Sequence, residues 1–267
     1  MKRASISAVL ITKNEERNIR RCLDSLRWVD EIVVVDGNST DRTAEIARSY
    51  GAKVIDHKFQ GDFGDERNIG NENATCDWIL ALDADEVMPQ NTREKIEEIL
   101  ISGCEPDAFN VPRMQFFLGK PQIHGGRYHS IVNFFRRGKV RFDGKVHHLV
   151  LVDGKTGEFE HPIEHYPFNS ISEFLQKHDR YTRYEALEMF EKFGRTKQKE
   201  VRYNLTIKPI KLFIKSYFKK KGHKDGIVGL IFCVLFSVSY FLKWSKYWEL
   251  CQANETKSQQ NKTVHDK

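Results

Sequence analysis

Apolar and polar positions alternate with two different periods along the first hundred residues. The runs ISAVLIT, EIVVVD and WILALD are short and almost wholly apolar, which is typical of strands covered on both faces. AKVIDH is a further strand. The intervening NEERNIRRCLDSL has apolar residues at helical spacing, with Asn14 positioned as its cap. Helices are also predicted at residues 41–50, where Gly51 is the stop, and at GDERNIGNENAT and NTREKIEEILIS. The alternation predicts an α/β fold with a doubly wound, mostly parallel sheet and helices on both faces.

The pattern changes after residue 108. Strand-like pieces such as AFNVPRMQFF, IVNFFRR and HHLVLVDG are broken by glycine and proline, and SEFLQKHDRYTRYEALEMFEKFG then predicts an amphipathic helix that ends at Gly194. We expect one domain over residues 1–170, with halves 1–105 and 106–170. A helical region, 171–250, and a disordered polar tail, 251–267, follow.

Charge is unevenly spread along the chain. Residues 195–224 hold eleven Lys or Arg against one acid, Glu200, whereas the whole chain has a net charge of +6, so the remainder is mildly acidic. An apolar run, 226–242, follows the basic segment and is itself followed by Lys and Trp residues. Such flanks favour an anionic membrane surface as partner over nucleic acid. The run is compatible with a helix in one leaflet, a full span or a buried core helix.

The bulk composition favours a folded protein in a reducing compartment. Apolar residues make up 40% and charged residues 30% of the chain, which argues against wholesale disorder. Five scattered cysteines form no C-x-x-C pair, so neither a zinc site nor a disulfide framework is indicated. The N-terminal apolar run is interrupted by Ser7 and lacks a cleavage site, and is better interpreted as a strand than as a signal peptide.

The stretch WILALDADEVMP ends a buried strand in acids. Asp83, Asp85 and Glu86 follow the apolar run directly. Ligands of doubly wound folds bind beyond the carboxyl ends of the strands. Two carboxylates one residue apart repel each other unless a cation lies between them. The pair is therefore compatible with a metal site or with a solvated acidic turn.

Four motifs fall at the carboxyl ends of successive strands: TKNE, DG, DERN and DADE. In the stretches SAVLITKNEERNIRRCLDSL, EIVVVDGNSTDRTAEIA, DERNIGNENATCDWILALDADE and FFRRGKVRFDGKVHH the sequence resembles the inverting family 2 glycosyltransferases, which have the GT-A fold. HYPFNSISEFLQKHDRYTRYEA and FIKSYFKKKGHKDGIVGLIF resemble the branch that adds glucose to the lipopolysaccharide inner core. No Gly-rich phosphate loop follows ISAVLIT, which argues against a nucleotidyltransferase or a dinucleotide-dependent dehydrogenase.

The resemblance implies a nucleotide-sugar site in the first half of the domain and an acceptor site in the second. Asp83 and Asp85 would hold Mg²⁺ or Mn²⁺ against the diphosphate of a UDP-sugar. Arg67 would contact phosphate, or else form an ion pair with a neighbouring acid. Lys13 belongs to the TKNE motif, which matches the family's first nucleotide-contacting loop. Alternatively, Lys13 only precedes the start of the following helix. The residues expected to contact the nucleotide sugar are Thr12, Asn14, Glu15, Asp36, Arg67, Asp83 and Ala84.

Inversion at the anomeric carbon requires a base that deprotonates the acceptor hydroxyl. The lipopolysaccharide branch has Val-His-Glu where this chain has Val146, His147 and His148. His148 is the expected base, because an imidazole can accept a proton near neutral pH, and Asp143 and His147 are rivals. His161 and His165 add the option of a histidine that completes metal coordination.

These features together predict a metal-dependent inverting hexosyltransferase. The resemblance implies glucose as the sugar and a saccharide acceptor, the lipopolysaccharide inner core on a lipid carrier. The enzyme is expected at the cytoplasmic face of the bacterial inner membrane, as a peripheral or monotopic protein or through a single C-terminal span. Alternatives are a capsular, polyprenyl-linked or protein acceptor, and a non-catalytic membrane-surface adaptor. The oligomeric state is left open.

Overall fold

Parallel strands form the N-terminal half of the sheet. In the computed structural model, which describes residues 3–58, 63–126, 129–143 and 149–265, the first four strands pair in the order β3-β2-β1-β4, all parallel. Their carboxyl ends therefore meet at one edge, with Thr12 opposite Asp36 and Ile11 opposite Asp83. The strands are β1 (Ile6–Thr12), β2 (Glu31–Asp36), β3 (Lys53–Asp56) and β4 (Trp78–Asp83).

Helices cover this half of the sheet on both faces. Apolar side chains of α1, α2 and α4 join one core cluster with alternate residues of the strands, whereas α3 contacts β1 and β2 from the opposite face. Gly70 in α3 permits a close approach, because a Cβ there would lie only 2.4 Å from Cγ1 of Val9. The helices are α1 (Glu16–Ser25), α2 (Thr43–Ser49), α3 (Phe63–Asn73) and α4 (Gln90–Ser102).

Antiparallel strands extend the sheet beyond β4. The order continues β4-β8-β6-β12-β5, and β9 pairs with β10 in a separate ribbon. Trp78 stacks on Phe134 with 4.5 Å between ring centroids, so the two halves share one aromatic core. The strands are β5 (Glu86–Val87), β6 (Ala108–Phe117), β7 (Lys120–Pro121), β8 (His129–Arg136), β9 (Val140–Asp143), β10 (Leu149–Val152), β11 (Thr156–Glu158) and β12 (Ile163–Phe168).

The chain divides into two units. One comprises Met1–Phe116 with Tyr128–Pro167, and the other comprises Phe117–Arg127 with Phe168–Lys267. In the second unit α7 packs against α5 and α6, around clusters that include Phe174, Phe232 and Tyr247. Its helices are α5 (Ile171–Phe193), α6 (Gln198–Ile214) and α7 (Gly226–His265), with a π turn at Lys215–Lys219 and a 3₁₀ turn at Gly222–Asp225.

The predicted fold class is confirmed, and the C-terminal tail differs from its prediction. Residues 251–265, expected to be disordered, continue α7 as far as His265. A helix that is already nucleated extends by one hydrogen bond per residue, and residues 251–265 include three Gln, two Lys, one Glu and one Ala, which favour helix. Among the described residues, one helix, Gly222–Ala253, is long and apolar enough to cross a membrane.

Candidate active site

The carboxyl edge of the parallel strands holds Asp36 in a fixed orientation. Its Oδ1 accepts a hydrogen bond from Ser39 Oγ (2.6 Å), and its Oδ2 accepts one from the Ser39 amide (2.8 Å). The Gly37 amide donates to the carbonyl of Thr12 across the strand pair (2.8 Å). Asp36 is only 2% exposed. The parallel sheet therefore brings two of the predicted nucleotide-binding residues, Thr12 and Asp36, side by side.

The loop after β1 is built differently from the predicted helix cap. Asn14 has a left-handed backbone (φ 55°) and makes no cap of α1. Its side-chain oxygen instead accepts from the amide of Thr40 (2.7 Å), while its own amide donates to Ser39 Oγ (2.9 Å). Glu15 accepts from the side-chain amide of Asn18 (2.7 Å). Asn14 thus joins the loops that follow β1 and β2, because asparagine tolerates the left-handed region.

Asp83, the last residue of β4, lies between two arginines. Arg67 Nη2 is 2.5 Å from its Oδ1, and Arg113 Nη2 is 2.9 Å from its Oδ2. Burial works against ionisation of this carboxyl, but the two guanidinium groups hold its pKa well below the usual range. The prediction left two roles open for Arg67, and its contact in this structure is the ion pair with Asp83.

Glu86 is buried completely behind the acidic turn. Its Oε1 lies 2.6 Å from Nε of Arg113, and its Oε2 accepts from the amide of Asp83 (2.7 Å). Burial raises the pKa of Glu86 and the charge of Asp83 adds to that effect, while Arg113 opposes both. Arg113 therefore neutralises two carboxyls at once. Ala84, between the acids, is buried in the core.

Asp85 faces a histidine from a distant strand. The antiparallel pairing of β12 with β5 sets His165 opposite Glu86, and His165 Nε2 lies 3.4 Å from Asp85 Oδ1. Ligand atoms of Asp83, Asp85 and His165 all lie within 4.8 Å of one another. Both Asp85 and His165 have side chains that are less than 15% exposed. His161, the other histidine considered, is exposed and is not part of this group.

An aromatic stack holds the strand beside His165. Tyr166 stacks on Phe116 (4.4 Å between centroids), and the Arg21 guanidinium lies 3.8 Å from the centroid of the Tyr166 ring. The Tyr166 amide donates to the carbonyl of Asp85 (2.9 Å). These contacts fix the backbone of β12 against the acidic turn.

The candidate bases lie at and beyond the end of β9. Asp143 is exposed at that end, and the preceding Phe142 exchanges two backbone hydrogen bonds with the side-chain amide of Asn68 (2.8 and 3.0 Å). His147 and His148 lie outside the described residues. Asn68 follows Arg67 in α3, so one helix supports both the Asp83 contact and the end of β9.

Sequence reasoning did not single out Arg113, Glu86 or Glu66 as site residues. Arg113 stands within the apolar strand sequence AFNVPRMQFF, and a charge in a buried strand is a signal that it needs a buried partner. Glu86 belongs to the acidic turn that the sequence shows, but its burial depends on the strands that cover it. Glu66 belongs to the DERN motif, but the motif does not show that its side chain is buried beside His57.

A parallel sheet with acidic side chains at its carboxyl edge is an arrangement in which α/β proteins bind ligands. The chain belongs to glycosyl transferase family 2, whose family model matches residues 7–152, more than half of the chain.

Its relatives include two bacterial proteins of similar length. An uncharacterized glycosyltransferase of Rickettsia typhi is 28% identical over 259 residues, which cover 92% of this chain and 87% of the relative. The lipopolysaccharide core biosynthesis glycosyltransferase LpsC of Rhizobium meliloti is 27% identical over 253 residues, covering 91% and 92%. Among solved structures, residues 1–349 of TarS from S. aureus in complex with UDP align with a TM-score of 0.47 at 15% identity, over 94% of this chain and 91% of that one.

Proposed function

We propose that the protein transfers a hexose, glucose, from a UDP-sugar to a saccharide acceptor with inversion at the anomeric carbon. The observation that carries the proposal is the group of Asp83, Asp85 and His165 at the carboxyl end of β4. It lies on the same sheet edge as Thr12 and Asp36. A site of this kind can bind the nucleoside part of the donor at one end and its diphosphate at the other.

The residues of the group fit a divalent cation. Three ligand atoms within 4.8 Å are of the oxygen and imidazole types that bind such ions, and Nδ1 of His165 is buried without a hydrogen-bond partner among the described residues. Because both oxygens of Asp83 are engaged by arginines, Asp85 and His165 are proposed as the principal ligands. Mn²⁺ or Mg²⁺ held there would neutralise charge on the diphosphate leaving group.

The charges of the chain itself favour the same reaction. Arg67 and Arg113 place two guanidinium groups at the acidic turn, and planar guanidinium groups bind phosphate oxygens well. On approach of a diphosphate, Arg67 can exchange its contact with Asp83 for one with phosphate. Arg113 stays bound to buried Glu86 and keeps Asp83 ionised.

Inversion by a single displacement needs one base on the acceptor side. Asp143, His147 and His148 are the proposed candidates, and His148 is preferred because an imidazole changes charge near neutral pH. Asp143 lies directly after Phe142, whose ring centroid is 5.6 Å from Cζ of the Arg67 guanidinium. The start of this segment is therefore close to the donor side of the site.

A lipid-linked saccharide, the lipopolysaccharide inner core, is the proposed acceptor. The similarity to LpsC along nearly the whole chain supports it. So does the surface of α6 and of the π turn, where Ile207, Ile210, Ile214 and Phe218 are more than 40% exposed, beside exposed Lys211 and Lys215. Apolar side chains interleaved with lysines suit the interface of an anionic membrane. The enzyme would work at the cytoplasmic face, where its sugar nucleotide is made.

A donor and acceptor panel tests the proposal. The purified full-length protein is given UDP-glucose, UDP-galactose, UDP-GlcNAc and GDP-mannose with detergent-solubilised core lipopolysaccharide, with Mn²⁺ or with EDTA. We expect transfer from UDP-glucose that EDTA abolishes, and a β-linked product from the α-linked donor. Transfer at an unchanged rate in EDTA would overturn the metal role, and use of a non-uridine donor would overturn the donor assignment.

A further inference from the structure

One face of α7 is apolar and exposed. Its large apolar side chains that are more than 40% exposed, here called the α7 stripe, are Ile227, Val234, Val238, Phe241 and Trp248. Successive members are seven, four, three and seven positions apart, and such intervals place side chains on one face of a helix. The sequence has no charged residue between Gly226 and Leu242. A continuous exposed apolar surface of this kind marks an interaction site.

The other side of α7 packs against α5 and α6 within the same unit. Phe232 is buried there in one aromatic cluster and Tyr247 in another. Lys246 Nζ lies 2.8 Å from Oδ1 of Asp179 in α5, so an ion pair adds to this contact. Only 28% of the most apolar 18-residue stretch of the helix is buried, however. One side of α7 is therefore held by its neighbours, and the side with the α7 stripe is uncovered.

An exposed lysine of α6 lies at the level of the middle of the apolar run. Tyr240 Oη donates to Oδ1 of Asn204 in α6 (2.6 Å), and a short turn joins the two helices, which therefore run antiparallel. Lys211 is seven residues nearer to that turn than Asn204, and Val234 is six residues nearer to it than Tyr240. Since each residue advances a helix by about 1.5 Å, the exposed Lys211 and Val234 lie at about the same level along the helix axes.

The neighbouring helices are incompatible with a full membrane span. In α5, next to the residues that contact α7, Arg180, Arg183 and Glu188 are exposed. If α7 crossed a bilayer with α5 and α6 packed against it, Lys211 and these charges would enter the hydrocarbon, where charged side chains are costly. A helix that lies in the plane of the membrane avoids this cost, because only the α7 stripe then contacts acyl chains.

The charges beside the α7 stripe favour a lipid surface over a second copy of the chain. The turn that precedes α7 has one acid, Asp225, whose Oδ1 lies 2.7 Å from Nδ1 of His124. The turn also exposes five lysines, which are Lys215, Lys219, Lys220, Lys221 and Lys224. A parallel pair of α7 helices would bring these lysines against those of the second copy, and like charges repel each other. Anionic headgroups would neutralise them instead.

We propose that α7 lies in the plane of an anionic membrane, with the α7 stripe among the acyl chains of one leaflet, and that it does not cross the bilayer. The lysines of the preceding turn then contact the headgroups. The inference deepens the proposed membrane location and does not depend on which sugar is transferred. It implies that the C-terminus stays on the same side of the membrane as the catalytic residues.

The location of the C-terminus tests the inference on the unaltered helix. A protease-sensitive tag is added after Lys267 of the full-length protein, which is produced in a Gram-negative bacterium. We expect added protease to remove the tag in inside-out membrane vesicles and to leave it intact in spheroplasts, because both ends of α7 face the cytoplasm. Removal of the tag in spheroplasts, with protection in inside-out vesicles, would show a full span and overturn the inference.

Substitutions in the α7 stripe test its contact with lipid. Full-length protein purified in detergent is diluted into vesicles of phosphatidylethanolamine and phosphatidylglycerol, and the bound fraction is measured by co-sedimentation. Val234→Asp with Val238→Asp should weaken binding by about tenfold or more at low salt and at high salt, since a charge among acyl chains is costly and salt does not screen apolar insertion. Ile101→Asp is the matched control, because Ile101 is also exposed but lies near the end of α4. Urea unfolding shows whether each variant is folded.

Three results would contradict the inference in different ways. Equal vesicle binding by the folded α7 variant and by Ile101→Asp would overturn the lipid contact. A detergent-free soluble dimer that Val234→Asp dissociates would assign the α7 stripe to a second copy. A wild type that binds no vesicles would overturn the proposed membrane location together with this inference. None of these readouts uses a nucleotide sugar, so a failure of the proposed transfer reaction is distinguishable from a failure of the inference.

Discussion

The imidazole Nε2 of His165 lies 3.4 Å from Oδ1 of Asp85, although the two residues are 80 positions apart in the chain. One residue belongs to a turn after a buried parallel strand, and the other to an antiparallel strand that pairs with the short strand behind that turn. Through this contact His165 joins Asp83 and Asp85 in one group of three candidate metal ligands.

Replacement of His165 should weaken metal binding. We expect His165→Ala to raise the Mn²⁺ concentration needed for half-maximal transfer by about tenfold or more, a loss typical of residues that support a metal site. The measurement is a Mn²⁺ titration of transferase activity, with calorimetry of Mn²⁺ and UDP binding beside it. His161→Ala is the matched control, because that histidine is exposed nearby in the chain and lies outside the group. If both variants behave alike, His165 is not a ligand.

Loss of Arg113 should destabilise the fold. Arg113→Met leaves the carboxyls of Asp83 and Glu86 without their shared cation, and breaking a buried ion pair from one side costs about 3–5 kcal/mol. Lys139→Met removes one partner of an exposed pair with Asp153 and should lower the free energy of unfolding far less, because water and salt screen exposed ion pairs. Urea unfolding of both variants is the test. A loss for Arg113→Met no larger than for Lys139→Met would contradict this account.

The base can be assigned by kinetics. If His148 deprotonates the acceptor, His148→Ala should lower kcat by about 10²- to 10⁴-fold, the usual contribution of a general base. The corresponding limb of the pH–rate profile should disappear, while UDP binding stays unchanged. Asp143→Asn and His147→Ala are measured in parallel. A nearly silent His148→Ala together with an inactive Asp143→Asn would assign the role to Asp143.

Glu66 should make stability depend on pH. Burial raises its pKa from 4.5 to about 7, so the unfolded chain releases this proton at a lower pH than the native protein does. The stabilisation is complete below about pH 4.5 and is lost as the pH rises to about 7. Glu66→Gln carries no such charge and should be more stable than the wild type at pH 8 by on the order of 2 kcal/mol, with no such gain at pH 5. If the urea midpoints of the wild type and of Glu66→Gln change in parallel between pH 5 and pH 8, Glu66 is already ionised in the native protein.

Membrane association should have two separable components. Lys211→Gln with Lys215→Gln should reduce binding to anionic vesicles at low salt, by about 1 kcal/mol per residue, and have little effect at high salt. Ile210→Ser with Ile214→Ser should reduce vesicle binding at low salt and at high salt, because salt does not screen apolar insertion. Vesicle co-sedimentation separates the two components. Recovery of the full-length protein from the soluble fraction without detergent would argue that α7 is a core helix.

The sequence by itself determined the strand and helix alternation, the parallel half of the sheet and the acidic turn. These features follow from local periodicity and from the ends of buried strands. The positions of Thr12, Asp36 and Asp83 on one edge were predictable for the same reason, since parallel strands put their carboxyl ends together.

Only the tertiary structure decided which side chains meet at that edge. Asp83 contacts Arg67 from a helix and Arg113 from an antiparallel strand, and the register of β12 on β5 decided that His165, and not His161, reaches the group. The left-handed Asn14 likewise depends on the loop after β2 that its side chain contacts. Sheet order and register arise from packing between residues far apart in the chain, and a local pattern of apolar and polar positions carries no information about those distant partners.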